Sequence, residues 1–259
     1  MTGFPAVRRD TGRMSSNGRT SSHALPPRLP LAGLLAVRHG ESVSNVVFRE
    51  AARAAVPDES LVYREVRVPL TALGREQAAA LGRRLAALPE GARPDLVVCS
   101  PYARARETWE VAAEAWPGAP AALVDERLRD RETGAFELMT PLAIEARAPE
   151  EARRRAAVGE WWYRPPGGES FPDVTLRVRD FLTELAGAAP GRRALLVAHD
   201  AVVVALGLVI SGLGTPPPAE ATRVPNASLT GWEGDGTRLR PAFSGDTGHL
   251  AGLDGPGAP

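Results

Sequence analysis

The sequence predicts an α/β fold, a three-layer sandwich in which a mostly parallel central sheet carries helices on both faces. Three short, almost wholly apolar runs, Leu34 to Arg38, Asp95 to Ser100 and Ala194 to His199, have the length and composition of strands buried in mid-sheet. Longer segments with helical spacing separate them, the alternation expected of a sheet covered by helices. A chain of 259 residues can bury a sizeable core. One main domain, residues 31–250, is expected between a Ser-, Gly-, Arg- and Pro-rich leader at 1–30 and a flexible tail at 251–259. The leader has too little apolar pattern to repay the entropy of ordering, and Met14 marks an alternative start.

After the first strand, residues 46–67 are rich in arginine and glutamate at helical spacing, an excursion over the rim of the sheet. A helix is predicted from Ala72 to Leu88, with Thr71 as its N-cap, leucines at 73, 81, 85 and 88 facing the core, and Arg75, Arg83 and Arg84 outward. The second strand leads into a helix from Ala103 to Trp116. Further helices are predicted at Pro141 to Val158 and Asp173 to Ala186, and the third strand is followed by one from Ala201 to Leu213. The apolar stretch Ala194 to Leu213 approaches the ~20 residues of a membrane span. His199 and Asp200 interrupt it, and an ionisable pair in hydrocarbon is costly, so a buried strand and a buried helix are expected instead.

Formal net charge is zero, so no global field draws the chain to nucleic acid or anionic lipid, and an anion has to be met by local charge. Every cationic Lys-or-Arg position is an arginine, a bias that leaves arginine positions, rather than counts, as evidence. The single cysteine, Cys99, excludes an internal disulfide and a cysteine zinc cluster, and inside "DLVVCS" it reads as a small core residue. The run "LPLAGLLAV" leads into "RHGES" without a cleavage site. A cytoplasmic protein is expected, with no membrane or nucleic-acid partner and an oligomeric state left open.

All three predicted strands end in polar, chemically capable residues. The first delivers Arg38 and His39, the second Ser100 and then Arg104, the third His199. Ligands of open α/β sheets bind beyond the carboxyl ends of the strands, so these side chains are expected around one crevice. Two guanidiniums with forked donors and two imidazoles suit a phosphate group, and Gly40 would let an anion approach backbone amides. Two guanidiniums can hold the charge of about −1.5 to −2 on a phosphomonoester without a metal. No metal ligand spacing and no cofactor motif is present.

The ordered motifs "VRHGESVSN", "PLTALGREQA", "SPYARARET", "DERLRDRETG", "PPGGES", "LLVAHD" and "NASLTGWE" with "DTGHL" resemble those of the histidine phosphatase superfamily, the phosphoglycerate mutase-like family. The resemblance spans about Leu34 to Leu250. It implies a phosphoglycerate mutase-like sandwich and a phosphatase that hydrolyses small phosphomonoesters without metal or cofactor. It implies that His39 attacks phosphorus and becomes phosphohistidine. Arg38, Arg104 and His199 surround the phosphoryl oxygens, and Asn45 adds a neutral hydrogen bond. It implies Glu126 as the acid that protonates the leaving alkoxide, in competition with Glu132 and Glu137 of the same loop. His39 has to attack as a neutral imidazole, its other nitrogen bonded to a backbone acceptor, and neighbouring arginines favour that state.

Departures from the family pattern are Asp200, where many members have glycine, and Arg67, where an acid is commoner. The alternatives are a phosphoglycerate mutase-type phosphotransferase, a catalytically silent phosphate-binding module, and a metal-dependent hydrolase using His39, His199 and Asp200.

Overall fold

The computed structural model describes residues 27–58, 60–61, 63–212 and 224–253. The expected leader up to residue 26, Leu213 and the tail from 254 lie outside the described residues. Leu29, assigned to the leader, belongs to the body instead: it is buried, and its amide donates to the Thr237 carbonyl at 2.8 Å.

The three apolar runs become β1 (Gly33–Arg38), β2 (Leu96–Cys99) and, late in the chain, β4 (Arg193–Ala198). With β3 (Ala122–Val124), β5 (Leu229–Gly234) and β6 (Leu239–Asp246) they form one six-stranded sheet in the order β3-β2-β4-β1-β5-β6. The β2–β3, β2–β4 and β1–β4 pairings are parallel, and β5 is antiparallel to both neighbours. Sequence pattern missed β3, β5 and β6. β3 is three residues long, and β6 carries Pro241, Arg240 and exposed positions that no period-two pattern marks.

The helices are α1 (Val43–Ala54), α2 (Ala72–Ala86), α3 (Ala103–Glu114), α4 (Pro141–Arg147), α5 (Pro149–Val158), α6 (Phe171–Ala188) and α7 (Asp200–Ser211). Leu81, Leu85, Ala105 and Trp109 of α2 and α3 pack on Val37, Val97, Cys99, Leu195 and Val197. The alternate residues Leu34, Ala36, Val98, Leu196 and Ala198 face Val178, Leu182, Val202 and Leu206 of α6 and α7. Successive strand residues therefore feed opposite cores, which is why these strands are apolar throughout. Each fully buried leucine contributes about 1.5–3 kcal/mol.

The expected single helix from Pro141 to Val158 is two. Ala148, with φ −139° and ψ 64°, separates α4 from α5, because the ring of Pro149 disfavours helical backbone in the residue before it. The apolar stretch Ala194 to Leu213 divides into β4 and α7, and among the described residues no helix is long and apolar enough to cross a membrane. Cys99 is core: burial pushes its thiol up to about 12.

Candidate active site

Register places the site. Arg38 pairs with Ala198 and Cys99 with Val197, so the next residue of each strand reaches the same rim. The His39 amide donates to Ala198 O and the Ser100 amide to Val197 O, both at 2.9 Å. His39 and His199 consequently face each other edge-on, ring centroids 5.1 Å apart. Arg104, on the first turn of α3 after β2, is 3% exposed and donates from Nε to His39 Nε2 at 3.2 Å.

The hydrogen bonds fix the tautomer of His39. Nδ1 lies 2.7 Å from the Gly40 carbonyl, which can only accept, so the proton sits on Nδ1. Nε2 accepts from Arg104 and carries the lone pair. Burial, then Arg104, His199 and Arg38, hold the imidazolium pKa well below its usual value, so the ring is neutral at physiological pH. A neutral, oriented imidazole among fixed cations has the free lone pair and the surroundings that attack on phosphorus would require.

His199 is fully buried, and its Nε2 is 2.8 Å from Ser100 Oγ. Its Nδ1 lies 3.3 Å from Asp130 Oδ2 without the alignment of a hydrogen bond. Burial lowers the His199 pKa against the opposing pull of Asp130. Arg38 donates to Val224 O at 2.7 Å and pairs with Asp200 at 3.4 Å. Asp200, the departure from the family pattern, therefore meets Arg38 rather than His199.

Three sequence expectations change at this point. Glu126 lies on the 3-10 turn Glu126–Leu128, which Asp125 caps. That turn buries Leu128 and leaves Glu126 exposed, its side chain making no hydrogen bond or ion pair with the cluster. The acid that meets the cluster is Asp130, whose Oδ2 accepts from Arg104 at 2.7 Å. Burial works to raise the Asp130 pKa, but His199 and Arg104 outweigh it and hold the carboxyl well below the usual range.

Gly40 has its amide committed to Thr108 Oγ1 at 3.0 Å, so it offers the site its carbonyl, not an anion-binding N–H. A Cβ there would lie 2.4 Å from the Gly74 carbonyl oxygen, and this close approach to α2 accounts for the glycine. Asn45 Oδ1 accepts from Ser42 N, Ser42 Oγ and Asn226 Nδ2, which closes the capping box of α1. Only the amide nitrogen of Asn45 is left to offer a ligand.

Sequence reasoning also missed Glu65, on the turn Glu65–Arg67, and Asn226. The Glu65 carbonyl accepts from Arg104 Nη1 at 2.9 Å and its carboxylate from Nη2 at 3.3 Å. Asn226 donates to His39 O at 3.1 Å, tying the β5 approach to β1. Asp130 was within reach of the sequence, as the acid after "DERLR" that follows a capped turn. Glu65 carried no such signal. Glu41, holding Arg49 at 2.7 Å and Thr71 at 3.0 Å, and Ser170, capping α6, fix loops beside the site. Among the described residues no group of three or more His, Cys, Asp or Glu side chains is arranged to hold a metal ion.

The family model described as the histidine phosphatase superfamily (branch 1) matches residues 34–247. The chain belongs to the histidine phosphatase superfamily. It is 32% identical over 225 residues to the probable phosphoglycerate mutase GpmB of Yersinia enterocolitica, covering 83% of this chain and 93% of that protein. It is 32% identical over 187 residues to a glucosyl-3-phosphoglycerate phosphatase of Mycolicibacterium vanbaalenii, covering 70% and 74% of the two chains. Among solved structures, Bacillus stearothermophilus YhfR superposes with a TM-score of 0.67 at 27% identity, covering 84% of this chain and 98% of that one. A mycobacterial glucosyl-3-phosphoglycerate phosphatase in complex with VO3 gives 0.63 at 30% identity, covering 83% and 100%.

Proposed function

We propose that the protein hydrolyses small phosphomonoesters through a covalent phosphohistidine on His39. The observation that carries this reading is the state of His39: a neutral ring whose Nε2 lone pair faces Arg104 Nε at 3.2 Å, while Nδ1 is held by Gly40 O. The phosphoryl group transfers through a loose transition state with charge on its equatorial oxygens, so fixed donors do most of the catalysis. Arg38, Arg104, His199 and the amide of Asn45 are the donors in this reading.

Asp130, rather than Glu126, serves as the general acid. At rest Arg104 and His199 favour its carboxylate. A phosphoryl dianion against Arg104 weakens that pairing and adds negative charge beside Asp130, which raises its proton affinity. Asp130 then takes up a proton from solvent as substrate binds and passes it to the departing alkoxide, and in the second half-reaction the regenerated carboxylate takes one from the attacking water.

The partner is a small molecule, in the cytoplasm, with no nucleic acid or membrane involved. The name of one relative keeps a phosphoglycerate mutase in view as the second reading. Phosphate release from an aryl phosphate and from a panel of sugar phosphates, nucleotides and phosphoglycerates tests the proposal, beside His39→Ala and a phosphoglycerate isomerisation assay. Isomerisation without phosphate release would replace hydrolysis with transfer. No turnover of any ester would leave a binding module.

A further inference from the structure

The cationic pocket already contains an occupant. Arg104 Nη1 and Nη2, the forked donors that the proposed reaction needs for phosphoryl oxygens, are held by the carbonyl and carboxylate of Glu65. Nη2 also meets Asp130 at 2.7 Å, and Nε is committed to His39. Nothing in the catalytic scheme uses Glu65, yet its side chain is only 15% exposed and costs desolvation to hold there.

Resting on the phosphomonoesterase reading, we infer that Glu65 is a specificity-determining residue that competes with the substrate's phosphoryl group for Arg104 and disfavours substrates carrying a second anion beside the phosphate. Three observations support it. With neutral histidines, the guanidiniums of Arg38 and Arg104 face three carboxylates, Asp130, Asp200 and Glu65, so the charge of these two arginines is already balanced before a second anion arrives. Two further arginines are also engaged, Arg49 with Glu41, two residues after His39, and Arg64 with Glu137, the partner of the Glu65 amide. The backbone of Glu65 is pinned as well, its amide donating to the Glu137 carboxylate.

The groups packed around Glu65 set its protonation. Arg104 and Tyr102 approach from α3 and its start, Asp130 from the loop after β3, and Glu137 from the turn Gly134–Phe136 and its end. Burial, then the charge of Asp130, raise Glu65 to about 7 against the pull of Arg104. Dianion binding at Arg104 is then accompanied by proton uptake at Glu65.

The test is sulfate binding by titration calorimetry on the full chain, because sulfate is dianionic from pH 6 to 8 and needs no turnover. Wild-type affinity is expected to fall about tenfold from pH 6 to pH 8. Glu65→Gln is expected to bind about tenfold tighter than wild type at pH 8 and to show a clearly shallower pH dependence, the remainder belonging to Asp130, whereas Glu65→Asp keeps the wild-type slope. In turnover, Glu65→Gln is expected to lower KM for 3-phosphoglycerate more than for glycerol 3-phosphate, with kcat changed less than KM. A pH-independent wild-type affinity, or equal sulfate binding by wild type and Glu65→Gln at pH 8, overturns the inference. The activity itself is read separately by His39→Ala, so its failure is distinguishable from the failure of Glu65.

Discussion

The sheet carries arginines at both ends of its strands, and the two ends treat them oppositely. At the amino end of β4, Arg192 pairs with Asp95 at 2.7 Å and Arg193 with Glu233 at 2.9 Å, and the carboxylates are 53% and 62% exposed. At the carboxyl end, Arg104 is 3% exposed and donates to an imidazole as well as to carboxylates. Exposed pairs of the first kind are worth about 0–1 kcal/mol. A buried guanidinium beside two neutral histidines costs desolvation instead, and what it gains is a fixed field at the point where a phosphoryl group would sit. Residue type is shared between the two ends; burial and partner decide which end can do chemistry.

The comparison sharpens most at His39. His39→Ala is expected to lower phosphatase turnover by about 10⁴-fold or more, measured as phosphate release. Arg104→Ala should lower kcat/KM by about 10²–10³-fold, the cost of one preorganised donor. Asp130→Asn is expected to lose about 10²-fold on an alkyl phosphate and less on an aryl phosphate, whose leaving group needs less proton assistance. Glu126→Gln, on the exposed side of its turn, should stay within about twofold. The reverse order of the two acids would return the acid role to Glu126.

Stability carries the next effect. Burial, before any neighbour, lowers the folded pKa of both His39 and His199 below 6.5. Below that pH the unfolded chain binds protons that the folded chain does not, so the stability is present above 6.5 and is lost as pH falls. Each histidine adds a slope of up to about 1.4 kcal/mol per pH unit. Denaturant unfolding between pH 7.5 and 5.5 should be steeper for wild type than for His39→Ala; equal slopes would mean that the ring is not buried neutral. At the other end of the sheet, Arg193→Ala should cost less than about 1 kcal/mol in the same assay and leave turnover unchanged.

What the sequence made legible followed burial. The three central strands appeared within about a residue of their bounds because both faces of each are covered, and α2 appeared through Thr71 and its leucine stripe. β5 and β6 did not, since Gly231 and Gly234 interrupt the first and the second is an edge strand of exposed residues. In the site, Arg38, His39, Arg104 and His199 were readable because each sits at a strand end or the turn after it. Spacing alone pointed to Glu126, Glu132 or Glu137 and passed over Asp130, because it does not say which way a single 3-10 turn points. Glu65 was illegible for a further reason: it reaches Arg104 from a segment 39 residues away, through a contact that no local pattern encodes.

The central claim is that Nε2 of His39 attacks phosphorus. Rapid quenching during turnover of a labelled phosphomonoester, followed by peptide mapping under basic conditions, tests it directly. Label on Nε2 of His39, absent from the His39→Ala protein, is the expected result. Turnover with no labelled histidine, or label on another residue, would contradict it.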